Sequence, residues 1–199
     1  MKQSYQINFY FIKYLVFFIL FSCADGNKEV IHQGECEGYD NWEESDYKLP
    51  WPVGDSYKVL QGNCSSFSHI GTNRFAYDFD MSIGSTITAV RAGEVIEVEE
   101  SFEDGNGCPN ANIIKIEHDD DTVAEYHHLT KDGALVEKGD TVAQGDEIAE
   151  SGNTGCSTTP HLHFQVWIDS NYEDTIPVNF SNTDSNPRGL VEGEDYEAE

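Results

Sequence analysis

From "YKLPWPVGDSYKVLQG" onward, short apolar runs alternate with turn clusters of Gly, Asn and Asp, the pattern of half-buried strands. The runs "SYKVL", "RFAYDFDM", "TITAV", "EVIEVEE", "NIIKIEH", "TVAEYHHL", "EIAES" and "HLHFQVW" are read as strands. "DDD", between "NIIKIEH" and "TVAEYHHL", fits a hairpin turn. No segment sustains apolar residues at i, i+3, i+4 and i+7, so long helices are not expected. The spacing predicts a single all-β domain over residues 47–180.

The flanks read differently. Residues 1–22 carry lysines at 2 and 13, then an apolar run from Tyr14 to Phe21, too short to span a bilayer and laid out as a secretory signal. The end, "LFSC", resembles a bacterial lipobox, which implies cleavage before Cys23 and a lipid on its thiol; a plain signal anchor is the other reading. Residues 23–46 are acidic and lack periodicity, and are expected to be a tether in which His32 has no assigned role. Residues 181–199, "SNTDSNPRGLVEGEDYEAE", are expected to be a frayed acidic tail. These features place the chain at the cell envelope, as a membrane-anchored lipoprotein facing the periplasm or cell exterior.

The formal charge of −26 changes the picture of partners. A nucleic-acid role is excluded, because a phosphate backbone needs a basic face. The acidic residues are scattered and form no twelve-residue calcium loop. Apart from Cys23, the chain holds Cys36, Cys64, Cys108 and Cys156, enough for up to two disulfides in an exported protein, with three connectivities left open. No CxxC spacing occurs, so a cysteine-rich zinc site is not expected, although Cys156 lies close enough to the histidines to be weighed as a ligand.

"TTPHLHFQVW" concentrates candidate chemistry. Residues i and i+2 of a strand share a face, so His161 and His163 converge on one site. An HxH pair is a weak signal by itself, since two polar residues on a solvated face look the same. A further strand, "AEYHHL", holds His127 and His128; as neighbours in a strand they point to opposite faces, so one of them can join. Asp78, between Tyr77 and Phe79, needs a partner in so aromatic a strand, either a cation or neighbouring N–H groups.

The run "YHHLTKDGALVEKGDTVAQGDEIAESGNTGCSTTPHLHFQVW" resembles the C-terminal half of the lysostaphin-type (LytM-like) zinc metallopeptidases, which are peptidoglycan endopeptidases. The similarity rests on Tyr126, His128, Leu129, Val136, Gly139, Val142, Gly145, Ile148, Gly152, Thr154, Gly155, Ser157, Pro160, His161, Leu162, His163 and Phe164. "YDFDMSIGSTITAVRAGEVIEV" resembles the family's first half, so the similarity covers about residues 67–169. It implies antiparallel sheets forming an open groove, a Zn2+ cofactor and a peptidoglycan peptide substrate. It further implies Asp78 and His163 as metal ligands and His128 and His161 as catalytic imidazoles, leaving His127 to face away as a structural residue.

One position departs from the family pattern. The first histidine ligand usually stands four residues before the aspartate, where this chain has Arg74. His69 lies nine residues before Asp78, with "GTN" between them as an apparent insertion, and is taken as the third metal ligand because ligands are selected by geometry. Three protein ligands and an open position form the catalytic zinc pattern. No HExxH helix supplies a glutamate base, so proton transfer falls to His128 and His161, whose roles as base and oxyanion stabiliser are interchangeable at this level. Arg74, Asn73 and Asp80 are candidate supporting or substrate contacts, and equally candidates for salt bridges or hairpin bonds.

Two other readings compete. If His69 does not reach the metal, the domain is a degenerate module that grips peptidoglycan or regulates a hydrolase. "LVEKGDTVAQGDEIAES" also resembles the repeat of biotinyl or lipoyl carrier domains, but no modifiable lysine stands at a hairpin tip.

Overall fold

A computed structural model describes residues 36–199. Eleven strands follow in order: β1 (Ser56–Gln61), β2 (Tyr77–Phe79), β3 (Thr86–Thr88), β4 (Gly93–Glu99), β5 (Ile113–Glu117), β6 (Val123–His127), β7 (Leu129–Ala134), β8 (Thr141–Val142), β9 (Glu147–Ser151), β10 (Leu162–Trp167) and β11 (Asp195–Glu197). Short 3-10 turns occupy Trp42–Glu44 and Gly71–Asn73. Among the described residues no helix is long and apolar enough to cross a membrane. The fold is all-β as the alternation predicts, and its paired strands are antiparallel.

The larger sheet has the order β11-β1-β2-β10-β6-β5-β4-β8 and the smaller one β3-β9-β7. Strand pleating divides the larger sheet into an apolar and a polar face. Tyr77, Phe79, Ile114, Ala124, Tyr126, Leu162, Phe164 and Val166 enter one buried cluster, which also takes Ile87, Leu129, Ile148 and Ala149 from the smaller sheet. The intervening residues, Asp78, Glu125, His127, His163 and Gln165, lie on the opposite face. In register, His163 is flanked by Asp78 on β2 and by His127 on β6.

Three expectations are corrected. The strand read through "TVAEYHHL" breaks at His128, whose φ of 66° is left-handed, and the chain resumes as β7. The tail from Ser181 does not fray: β11 pairs with β1, Tyr57 opposite Tyr196, and Ala198 N–H donates to the Asp55 carbonyl at 3.0 Å. Its charge conceals a period-2 pattern, with Tyr196 and Ala198 buried while Asp195 and Glu197 face out. The tether is attached at its end, because Cys36 is bonded to Cys64 and Ser45 Oγ donates to the Asn179 carbonyl at 2.6 Å. The second disulfide joins Cys108 to Cys156, which removes Cys156 as a thiolate ligand. The leader, Cys23 and His32 lie outside the described residues.

Candidate active site

The polar face of the larger sheet gathers the histidines. Asp78 on β2 and His163 on β10 are register partners, and His163 Nδ1 lies 2.8 Å from Asp78 Oδ1. His69 arrives from the loop before the Gly71–Asn73 turn, fully buried, with Nε2 3.3 Å from the same oxygen. Its Nδ1 is 2.9 Å from the Gly62 carbonyl, which can only accept, so Nδ1 carries the hydrogen and Nε2 keeps its lone pair.

One donor atom from each of His69, Asp78 and His163 lies within 4.8 Å of the other two. Nitrogen, oxygen and nitrogen donors in such a cluster suit zinc. His69 Nε2 is buried yet makes no hydrogen bond, a costly state for an imidazole nitrogen unless a cation takes the lone pair. The residues therefore fit a metal ion. Burial opposes ionisation of Asp78, but the hydrogen bond to the His163 imidazole is the largest influence against it, and the carboxyl is held well below the usual carboxylate range. Burial lowers the His163 pKa by more than Asp78 raises it, leaving the ring neutral as a ligand must be.

Two more imidazoles stand beside this cluster. His161 immediately precedes β10, with Nε2 3.7 Å from Asp78 Oδ1. Its Nδ1 is 2.7 Å from the Thr159 carbonyl and 3.1 Å from Ser157 Oγ. The His128 ring centroid is 4.6 Å from that of His161 and 6.0 Å from that of His163, while Nδ1 is 2.6 Å from the Thr154 carbonyl. Because each carbonyl accepts, both rings carry hydrogen on Nδ1 and keep Nε2 as the basic nitrogen. Burial, then the imidazoles of His161, His127 and His163, push the His128 pKa down to about 3. It is thus neutral near pH 7, with the Nε2 lone pair available to a hydrogen-bond donor, while burial weakens it as a base.

His127 does not face away. It shares the polar face with His163, at a ring separation of 5.6 Å, and donates from Nε2 to Glu125 Oε1 at 2.6 Å. The opposite-faces reasoning fails because His128, with its left-handed backbone, is no longer a strand residue. Glu125 was missed in the sequence, although it stands two residues from His127 and so on its face. Its buried carboxylate also accepts from Gln165 Nε2 at 3.0 Å and Trp167 Nε1 at 3.1 Å, with Lys115 Nζ 3.3 Å away. Burial opposes its ionisation, but His127 and then Lys115 and Gln165 prevail and bring the pKa down to about 2.

Arg74, at the usual ligand place, pairs instead with Asp174 at 2.7 Å and lies over the Phe75 ring. Asp80 is exposed beyond the end of β2, its N–H donating to the Lys58 carbonyl at 2.9 Å. The Asn73 carbonyl accepts from Ala76 N–H at 3.0 Å, closing the turn after His69.

Comparison with known proteins agrees with this arrangement. Lysostaphin of Staphylococcus simulans is 31% identical over 139 residues, 70% of this chain and 24% of that protein. Peptidoglycan DD-endopeptidase ShyB of Vibrio cholerae is 34% identical over 123 residues, 59% of this chain and 27% of that protein. The solved structure of lysostaphin superposes with a TM-score of 0.52 at 29% identity, covering 67% of this chain and 51% of that one. The matched region thus spans about a quarter of the length of these curated relatives. Residues 72–175, more than half of the 199 residues, match Peptidase family M23, and the chain belongs to that family.

Proposed function

We propose that the chain is an exported, lipid-anchored zinc metalloendopeptidase that hydrolyses peptide bonds in peptidoglycan stems or cross-bridges. The observation that carries this reading is the convergence of His69, Asp78 and His163 beside the two further imidazoles of His128 and His161. The names of the relatives, lysostaphin and peptidoglycan DD-endopeptidase, support the substrate class. Two disulfides among the described residues support an oxidising compartment. The leader and "LFSC" support the anchor at Cys23.

His69, Asp78 and His163 would hold the ion. Zinc, when bound, supplies Lewis acidity, polarising the scissile carbonyl and lowering the pKa of a bound water toward roughly 7. The remaining chemistry belongs to the chain. His128, neutral and fixed with Nε2 basic, takes the proton from the attacking water. His161, also with Nε2 free and its ring centroid 4.6 Å from that of His128, receives this same proton, hydrogen-bonds the developing oxyanion through it and passes it to the leaving amine. Asp78 stays ionised and offsets the positive charge of the centre.

The regulatory alternative drew its support from Arg74 at the usual ligand place. That support is weakened because His69 reaches Asp78 from another point in the chain. The test is zinc content and hydrolysis of purified peptidoglycan by the full chain. About one zinc per chain is expected, with loss of both metal and activity in His163→Ala. A well-folded wild type that takes up no zinc would overturn the assignment.

A further inference from the structure

Both catalytic imidazoles take their orientation from one loop, residues 152–160. Thr154 supplies the carbonyl for His128, and Thr159 the carbonyl for His161. Neither carbonyl lies in a strand, so something else must hold the loop. It is fastened to the segment 103–112. Asp104 Oδ1 accepts from Asn153 N–H at 2.6 Å, and Gly105 N–H donates to the Asn153 carbonyl at 2.9 Å. Asn106 Oδ1 accepts from Gly155 N–H at 2.7 Å, and Asn112 N–H donates to Thr154 Oγ1 at 2.9 Å. Gly155 passes so close that a Cβ there would meet Ala111 Cβ at 2.6 Å. The Cys108–Cys156 disulfide closes the same two segments covalently, in the middle of these contacts.

The metal half of the site is supported elsewhere. Asp78 and His163 sit on adjacent strands of the larger sheet, and His69 is aimed by the Gly62 carbonyl. None of these supports passes through residues 103–112 or 152–160. Moving that loop displaces the two proton-handling groups and leaves the three donors in place.

We propose that the Cys108–Cys156 disulfide is a positioning device for His128 and His161, so that turnover depends on this bond while metal loading does not. The proposal rests on the peptidase reading. Both cysteines are exposed, so a small dithiol reaches the bond, cleaving it to two thiols while the dithiol becomes a cyclic disulfide. A reductant would also attack Cys36–Cys64, which lies close in sequence to Gly62 and His69, so substitution is the cleaner probe.

The experiment uses the full chain carrying Cys108→Ser and Cys156→Ser together. Zinc stoichiometry equal to wild type is expected, with KM for a peptidoglycan peptide changed by no more than a few-fold and kcat down by about tenfold or more. In the metal-free protein, imidazole 15N signals of His128 and His161 are expected to show a fixed Nδ1–H tautomer in wild type and averaged tautomers in the variant. Asn106→Ala, which keeps the disulfide and loses the contact to Gly155, should move kcat and the 15N signals the same way by less. It keeps the question open to measurement if the double variant folds poorly. Unchanged kcat and unchanged 15N signals overturn the proposal, as does zinc lost in step with activity. If zinc-loaded wild type cleaves no peptidoglycan peptide, the peptidase reading fails, whereas the 15N comparison still decides whether the disulfide positions the rings.

Discussion

His69 Nε2 stands 3.3 Å from Asp78 Oδ1 although the two residues are nine apart and Arg74 occupies the usual place between them. The Gly71–Asn73 turn takes up the extra length, and Gly71, at a φ of 61°, supplies a left-handed corner there. Arg74 is released to pair with Asp174 at the surface. The span that matches the family begins at residue 72, so this donor lies just before it.

The two candidates for the first ligand position therefore separate by mutation. His69→Ala should lower zinc affinity by more than the roughly 10–100-fold typical of losing a group that merely supports a ligand. Arg74→Ala should leave affinity unchanged and cost less than about 1 kcal/mol, because exposed ion pairs contribute little. Isothermal titration of both metal-free variants with zinc decides the matter. Tight binding by His69→Ala would mean that another donor completes the centre.

Gly152 explains why the loop that orients the imidazoles needs a residue without a side chain at its start. A Cβ there would lie 2.3 Å from Thr130 N and 2.5 Å from Leu129 C, backbone atoms that follow directly on His128. Gly152→Ala must move the loop or β7, at about 1–3 kcal/mol, and should depress kcat as well as Tm. Gly145→Ala serves as the comparison. That residue has a φ of 88° and open space around it, so its strain stays in the β8–β9 turn. It should lower Tm and leave kcat unaltered. Equal loss of kcat in both variants would show that global destabilisation, not loop placement, is being read.

Much of this molecule was legible in sequence because its signals are local. "HLHFQVW" alternates cleanly, so the core positions Leu162, Phe164 and Val166 separate from His163 and Gln165 without any structure. Asp78 was legible as a polar residue in an aromatic strand. What escaped depends on the backbone or on partners distant in the chain. The Thr154 and Thr159 carbonyls carry no side-chain signature, and neither does the left-handed backbone at His128, whose ring meets the Thr154 carbonyl 26 residues away. β11 was hidden because its acidic residues outweigh Tyr196 in any compositional reading. Disulfide pairing was open among three connectivities until the loops were placed in space.

The buried titratable groups make acid stability a sensitive test of the site. His128 has a pKa of about 3 in the folded chain against an ordinary 6.5, the shift coming first from burial and then from the neighbouring imidazoles. Between those values the unfolded chain binds a proton that the folded chain refuses, so stability falls as pH drops below 6.5. Glu125 acts lower on the scale. Its pKa of about 2 against 4.5 gives stability that is complete above 4.5 and is lost as pH falls toward 2. Urea unfolding of the metal-free protein, disulfides intact, should show two successive declines, the first setting in near pH 6.5 and together reaching a few kcal/mol by pH 4. Metal-free protein is needed because zinc binding adds a pH dependence of the same sign. His128→Asn keeps a donor for the Thr154 carbonyl but does not titrate, so it should make the upper decline shallower, the remainder coming from His163 and His118, and leave the lower one. Glu125→Gln should make the lower decline shallower, the remainder coming from Asp78 and Asp120, at a cost in stability near neutral pH, since Lys115 would lose a buried counter-charge. A wild-type midpoint that stays constant from pH 7 to 5 would mean that the His128 imidazole is protonated as easily in the folded chain as in water, and that burial does not depress its pKa.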